Sequence, residues 1–221
     1  MKKVKKIICG ILFSAFMCVF FIGCGINTTA SVKKHISECT KNIFTYVCDD
    51  YNLTVTSGTR EQDYQFDGKT SELVDFLLVA LAYSSPHSEQ TIDFVINING
   101  TDYSGILEKN PYKSNYMCDI KKSIDENDDI TIKFDDKDNK LECKSKDFEI
   151  NYEKAISIAT EGFNENLKSY TKNKKNLYEC YLKILYKPEI SENFYWYFLV
   201  KADKQYNFVI DTMSGNIIAN Y

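Results

Sequence analysis

The C-terminal stretch Tyr195–Tyr221, YWYFLVKADKQYNFVIDTMSGNIIANY, decides how the chain is read. A dense aromatic–aliphatic run leads into the polar turn Lys201–Lys204. Val209-Ile210-Asp211, a Ser214-Gly215 turn and the apolar pair Ile217-Ile218 follow. Such runs, separated by polar and glycine-bearing turns, spell a β-hairpin and then a tight turn into a last short strand. Asp211 stands where it can accept backbone N–H bonds, and Gly215 supplies the positive φ that a β-branched residue could not. Alternate residues of Tyr195-Trp196-Tyr197-Phe198 face opposite sides of the hairpin. One side packs on a helix; the other needs a second cover, expected from the N-terminal half, or a ligand. That makes Tyr195 and Tyr197 candidate binding residues.

Upstream, Tyr152–Leu167 carries Ile156, Ala159, Phe163 and Leu167 on one helical face. Asn151 is placed to cap it, and Gly162 weakens its last turns. Lys168–Asn176 reads as a Lys/Asn-rich loop whose Lys172, Lys174 and Lys175 are further candidates for contact with a partner. Leu177–Tyr186 reads as a strand. This order of helix, strand, strand, strand, with the segments EKAISIA (Glu153–Ala159), YWYFLV and VIDTMSGNII, resembles the PepSY domain, a small extracytoplasmic module. The resemblance covers residues 147–221. It implies one helix on a three-stranded antiparallel sheet. PepSY domains are similar to segments of metallopeptidase propeptides, so it also implies regulation or inhibition of a secreted peptidase.

Residues 43–146 read as a β-rich unit with one helix and resemble no family. Tyr51–Thr56 and Asp63–Phe66 alternate apolar with polar around Ser57-Gly58-Thr59, which predicts a hairpin. Thr70–Tyr83, TSELVDFLLVALAY, is apolar at nearly every position. Its length and Thr70/Ser71 start predict a buried helix, with a buried strand as the alternative. Thr91–Ile98, Asn99-Gly100 and Tyr103–Glu108 form the strongest short hairpin signal in the chain. Asn115–Ile120, Ile130–Phe134 and Lys140–Lys144 continue as strands between acidic turns. The fold class expected is therefore α+β: this β-rich unit, then the PepSY-like helix on its antiparallel sheet.

The N-terminus supplies an address. Met1–Lys6 is basic, Ile7–Phe21 almost wholly apolar, and Phe21-Ile22-Gly23-Cys24 resembles the lipobox of bacterial lipoproteins, with Phe21 where the family has Leu. That resemblance implies a signal peptide over residues 1–23, a lipid (diacylglycerol and often palmitate) on Cys24, and a tether over 24–42. The membrane, reached through the lipid on Cys24, is then a partner, and the folded part stands on the extracytoplasmic face. Two other readings place it outside the cytoplasm as well. Ile7–Ile26, at 20 residues, is long enough for an uncleaved membrane helix. Thr28-Thr29-Ala30 is a small-residue site for ordinary cleavage.

Composition narrows the function classes. The chain has 221 residues and 14% aromatics, which favours sheet. Its net charge is −4; without the four leader lysines, 23 basic and 31 acidic residues leave −8. An acidic surface has no long-range attraction for polyanions, so nucleic acid is not an expected partner. Beyond Cys24, five cysteines remain (Cys39, Cys48, Cys118, Cys143, Cys180), none in metal-binding spacing with His35 or His87. They are read as small buried apolar side chains, with Cys118 and Cys143 as one pair that neighbouring strands could bring face to face. The acidic runs Asp125–Asp129 and Asp135–Glu142 could gather oxygens for Ca²⁺ but read better as solvated turns. His87 is expected on an exposed loop, and no nucleophile–base or metalloprotease frame accompanies it. The function expected is a membrane-anchored binding module without catalysis or cofactor, with a structural or sensory envelope lipoprotein as the alternative. Replacing Cys24 with Ser should release the protein from the membrane fraction or leave its unprocessed precursor there at higher mass. Retention at unchanged mass on fractionation would replace the lipid anchor with an uncleaved helix.

Overall fold

The computed structural model describes residues 28–62, 66–67, 70–172, 177–188 and 191–220. Cys24 and the stretch expected to be a signal peptide lie outside them. A short helix, α1 (Thr28–Lys33), leads into β1 (Ile36–Val47), β2 (Tyr51–Glu61), β3 (Leu73–Tyr83), β4 (Thr91–Ile98), β5 (Thr101–Lys109) and β6 (Asn115–Ile120). β7 (Ile130–Phe134), β8 (Lys137–Lys140), β9 (Glu142–Cys143) and a 3-10 turn (Ser145–Asp147) follow. Helix α2 (Tyr152–Lys172) precedes β10 (Glu179–Lys187), β11 (Ser191–Lys201), β12 (Gln205–Asp211) and β13 (Ile217–Asn220).

All thirteen strands belong to one sheet, ordered β13-β12-β11-β10-β1-β2-β3-β6-β5-β4-β7-β8, with β9 on β1. The chain is mostly β. This overturns the α+β expectation of a PepSY-like helix-on-sheet module behind a separate unit. The C-terminal strands do not stop at three. Strand β10 pairs in parallel with β1, so the helix lies on one end of a continuous sheet. The boundary expected at 146/147 therefore separates no two sheets. The tether expected over 24–42 also ends early, because α1 and the first half of β1 fall within it.

Seven full strands and the β8–β9 run close on themselves. β8 pairs with β7, and β9, one residue further along, pairs with β1 through Phe44↔Cys143 and Thr45↔Glu142. Leu141 N–H donates to Ile130 O at 2.9 Å and Lys144 N–H to Ile43 O at 2.9 Å, stitching the seam. The ring β1-β2-β3-β6-β5-β4-β7-β8/β9 is a small barrel, thin at β5–β6, where only Glu108↔Met117 and Lys109↔Tyr116 pair, and at the two-pair β1–β9 seam. Its interior is filled by side chains, among them Phe44, Leu53, Leu77, Leu81, Ile96 and Ile132. Closure removes the strand edges that an open sheet would expose. Ile124 seals one end, its carbonyl accepting from Asn42 Nδ2 at 3.1 Å.

Strand β3 corrects the helix expected at Thr70–Tyr83. Leu77, Val79 and Leu81 are buried in the barrel, and Leu78, Ala80 and Ala82 alternate with them on a half-buried outer side that also carries the buried Phe76. Both faces are apolar, so the period-2 signal is hidden. Pairing along the whole of β2 and with β6 on the other edge settles the conformation. The hairpin turn expected at Ser57-Gly58-Thr59 is also absent. β2 runs straight through it, opposite a bulge in β1 between Thr40 and Asn42. Of its expected second arm, Asp63–Phe66, the first three residues lie outside the described residues. The Asn99-Gly100 turn is present, with φ of 52° and 83°.

The bulge lets β1 serve two cores. Its first half pairs with β10 and sends Ile36 and Cys39 into a core under α2, with Ala155, Ala159, Phe163, Trp196 and Phe208. Its second half sends Phe44 into the barrel. Trp196 is fully buried and its indole N–H donates to Ile150 O at 2.6 Å. At the crossing, a Cβ on Gly58 would stand 1.9 Å from the Cys39 carbonyl oxygen. That neighbour is backbone and cannot swing aside. Gly58→Ala should therefore cost about 3 kcal/mol or more, the upper range for forced overpacking. Gly100→Ala, with open space around its Cβ but a left-handed φ, should cost roughly 1–2 kcal/mol. Urea denaturation of both variants checks the order; equal losses would remove the crossing as a constraint.

Candidate functional site

The fork where β10 and β9 leave β1 opens a groove of about 650 Å³. The parallel β1–β10 ladder ends at Cys39↔Leu182 and the β1–β9 pairing begins at Phe44. Between them the backbones diverge. Thr45, Tyr46 and the exposed Val47 form one wall, and Tyr186, Pro188 and Phe194 the other. Tyr186 and Phe194 are cross-strand partners with rings stacked at 4.3 Å, and Phe148 tilts against Phe194 at 5.4 Å. Lys140, Glu142, Lys144 and Glu192 rim the groove with alternating charge. Lys144 donates to Glu142 Oε2. That hydrogen bond lowers the carboxyl's pKa and raises the ammonium's. A smaller recess of about 170 Å³ continues past Lys144 and Phe194 to the Asp211–Met213 turn.

That turn is built as the sequence indicates. Asp211 Oδ1 accepts from Met213 N–H at 3.1 Å, Ser214 N–H at 2.7 Å and the Ser214 hydroxyl at 2.8 Å. Gly215, at φ 75°, sits against Ile150 and Ile158. The bonds from Ser214, backbone first, hold the Asp211 carboxyl below its ordinary range.

Tyr195 and Tyr197 lie together on the other face of β11 from Trp196 and are half-buried. The barrel does not close over that face. Leu185 beside them is exposed, the Tyr197 hydroxyl donates to Asn207 Oδ1, and Asn193 Nδ2 donates to the Tyr195 hydroxyl at 3.3 Å. Lys172, expected in a loop, is the last residue of α2. Lys174, Lys175 and Cys24, the residue expected to carry the lipid, lie outside the described residues. Sequence reading missed Phe194, Tyr186, Val47 and Lys144. Phe194 stood one residue before the quoted aromatic run, and alternation places it opposite Tyr195, but only the fork shows what that face meets.

The acidic turns are spent on local bonds. Asp125 accepts from Asn127 N–H, Asp128 accepts from Asp125 N–H and Asn99 Nδ2, and Lys140 pairs with Asp129 at 3.0 Å. Asp135 and Asp136, both at positive φ, make the tight β7–β8 turn. Among the described residues no group of three His, Cys, Asp or Glu side chains is placed to hold a metal. The cysteines Cys39, Cys48, Cys118, Cys143 and Cys180 are all free thiols. Cys118 and Cys143 sit on β6 and β9, which are not neighbours. Burial raises the Cys39 thiol to about 12 and Cys180 higher still, so neither is a nucleophile. His87 is not simply exposed: its ring stacks on Tyr83 at 4.1 Å.

Compared with family models, curated proteins and solved structures, the chain gives no match.

Because Asp211 is depressed in the folded state, its contribution is full above the ordinary carboxyl pKa of 3.8 and is lost as pH falls through the lower folded value. The stability gap between the wild type and Asp211→Asn should be constant at neutral pH and shrink below 3.8. Urea denaturation across acidic pH measures it; a gap that persists after full protonation contradicts the turn assignment.

Proposed function

We propose that the protein is a membrane-anchored, extracytoplasmic binding module that takes an extended segment of a partner protein in the groove at the β1 fork. The observation that carries this reading is the groove itself: two stacked aromatics and an exposed valine face each other across a recess of about 650 Å³, under a rim of alternating charge. Apolar walls supply the burial term, and rim charges set register and partner choice more than affinity. The anchor rests on Gly23-Cys24 and the basic, apolar leader. The peptidase expectation came from the PepSY resemblance, whose architecture the fold does not have. The partner is therefore kept at the level of a protein segment, and a secreted peptidase is one occupant to test. A structural envelope role is the second reading. It is favoured by a barrel packed solid with side chains, which makes a rigid spacer.

The test is binding of the full chain to a displayed peptide library and to secreted peptidases of its host. Phe194→Ser and Val47→Asp should each weaken capture about tenfold or more, the scale of a buried anchor, with thermal unfolding still cooperative. Tyr195→Ala and Tyr197→Ala should leave it unchanged. The reverse pattern would move the binding surface to the open face of β11, and no capture by any form would favour the spacer.

A further inference from the structure

A second recess, of about 330 Å³, opens at the barrel mouth where β3 ends and β6 begins, remote in sequence from the fork residues. Its aromatic side is Tyr83 and Tyr116, set edge to face at 6.0 Å, with the His87 ring stacked on Tyr83. Ser84, Ser85 and Ser114 add three hydroxyls, and Lys109 the one fixed positive charge. Lys109 Nζ donates to His87 O at 2.6 Å and lies 5.8 Å over the Tyr116 ring. An ammonium carries three donors, so this bond leaves two to offer.

Two polar atoms here make no hydrogen bond. Tyr83 Oη and His87 Nε2 are buried without a hydrogen-bond partner. Glu89 Oε2 stands 3.4 Å from His87 Nε2, close enough for charge pairing but not aligned for a bond. Buried polar groups in native proteins are almost always paired, so two orphans around one recess ask for a partner from outside the chain. Burial first, then the charges of Asp135 and Glu89, pushes the Tyr83 phenol up to about 12. It therefore stays a neutral O–H donor at any physiological pH.

We propose that this recess binds a small monocarboxylate carrying an apolar body. The lining is rich in donors, with an ammonium, a phenol, an imidazole and three hydroxyls. No carboxylate is among its lining residues, Glu89 standing behind the His87 ring, in a chain with 31 acidic residues. A single ammonium matches a carboxylate's one charge, whereas a phosphate dianion would be left half neutralised. The phenyl edges of Tyr83 and Tyr116 and the ring of Pro86 provide the apolar wall against which the ligand's body packs.

Calorimetric titration of the full chain with benzoate, butyrate, neutral benzamide and cationic benzylamine tests this. The expected result is saturable binding of benzoate or butyrate and none of benzamide or benzylamine. Lys109→Met and Tyr83→Phe should each weaken the acid about tenfold, as for a hydrogen bond to a charged group. Phe194→Ser, at the fork, should leave it unchanged. Lys109→Arg keeps the charge and should retain binding if Lys109→Met proves unfolded. Equal binding of benzamide, preference for benzylamine, indifference to both the Lys109 and Tyr83 changes, or no saturable binding of either acid would each overturn the proposal.

Discussion

The close approach of Gly58 to the Cys39 carbonyl lets one strand hold two cores. Without a side chain at Gly58, β2 stays paired to β1 along its whole length while β1 bulges between Thr40 and Asn42. That bulge ends the ladder to β10 and frees the rest of β1 to meet β9. A bulge adds a bend and a local twist to one strand of a pair. Here it aims Ile36 and Cys39 under the helix and Phe44 into the barrel. The groove at the fork is the space left by that divergence.

Features set within a few residues were legible in the sequence. Asn99-Gly100 turns because two successive positive φ values suit no other pair as well. The Asp211–Gly215 turn follows from a carboxylate that accepts its own backbone and a glycine that bends left. The apolar stripe Ile156-Ala159-Phe163 defined α2. What failed were features decided far away in sequence. Leu73–Tyr83 has the length and leucine content of a helix and becomes a strand only because β2 and β6 offer it two edges. Gly58 looks like a turn residue because the half of β1 that requires it there, which carries Cys39, reads as part of the tether over 24–42. Cys143 and Phe44, a pair that closes the barrel, lie a hundred residues apart, and no local pattern joins them.

The same distinction explains the sites. Tyr195 and Tyr197 were visible as aromatics on a hairpin, but a strand's two faces are equivalent until something covers one. Phe194 gained its role from a stack on Tyr186 across the ladder and from a fork that the hairpin alone does not contain. His87 reads as an exposed loop histidine until the end of β3 places Tyr83 under its ring. The fork groove and the Tyr83 recess lie where the sheet changes partner or a strand ends, while the barrel interior is filled by side chains.

The pairing of Ile36 with Cys180 has a temporal consequence. The chain's first strand finds one of its neighbours only when most of the polypeptide has been made. Contacts of such sequence separation are slow to form, since the loop must close before the contact contributes. During synthesis the barrel strands can assemble as far as β9, leaving the N-terminal half of β1 with one bare edge and Ile36 and Cys39 uncovered. A half-finished strand of this kind is a nucleus for mispairing between nascent copies. The interval between completion of Cys143 and arrival of Cys180 is therefore the vulnerable window in the protein's biogenesis.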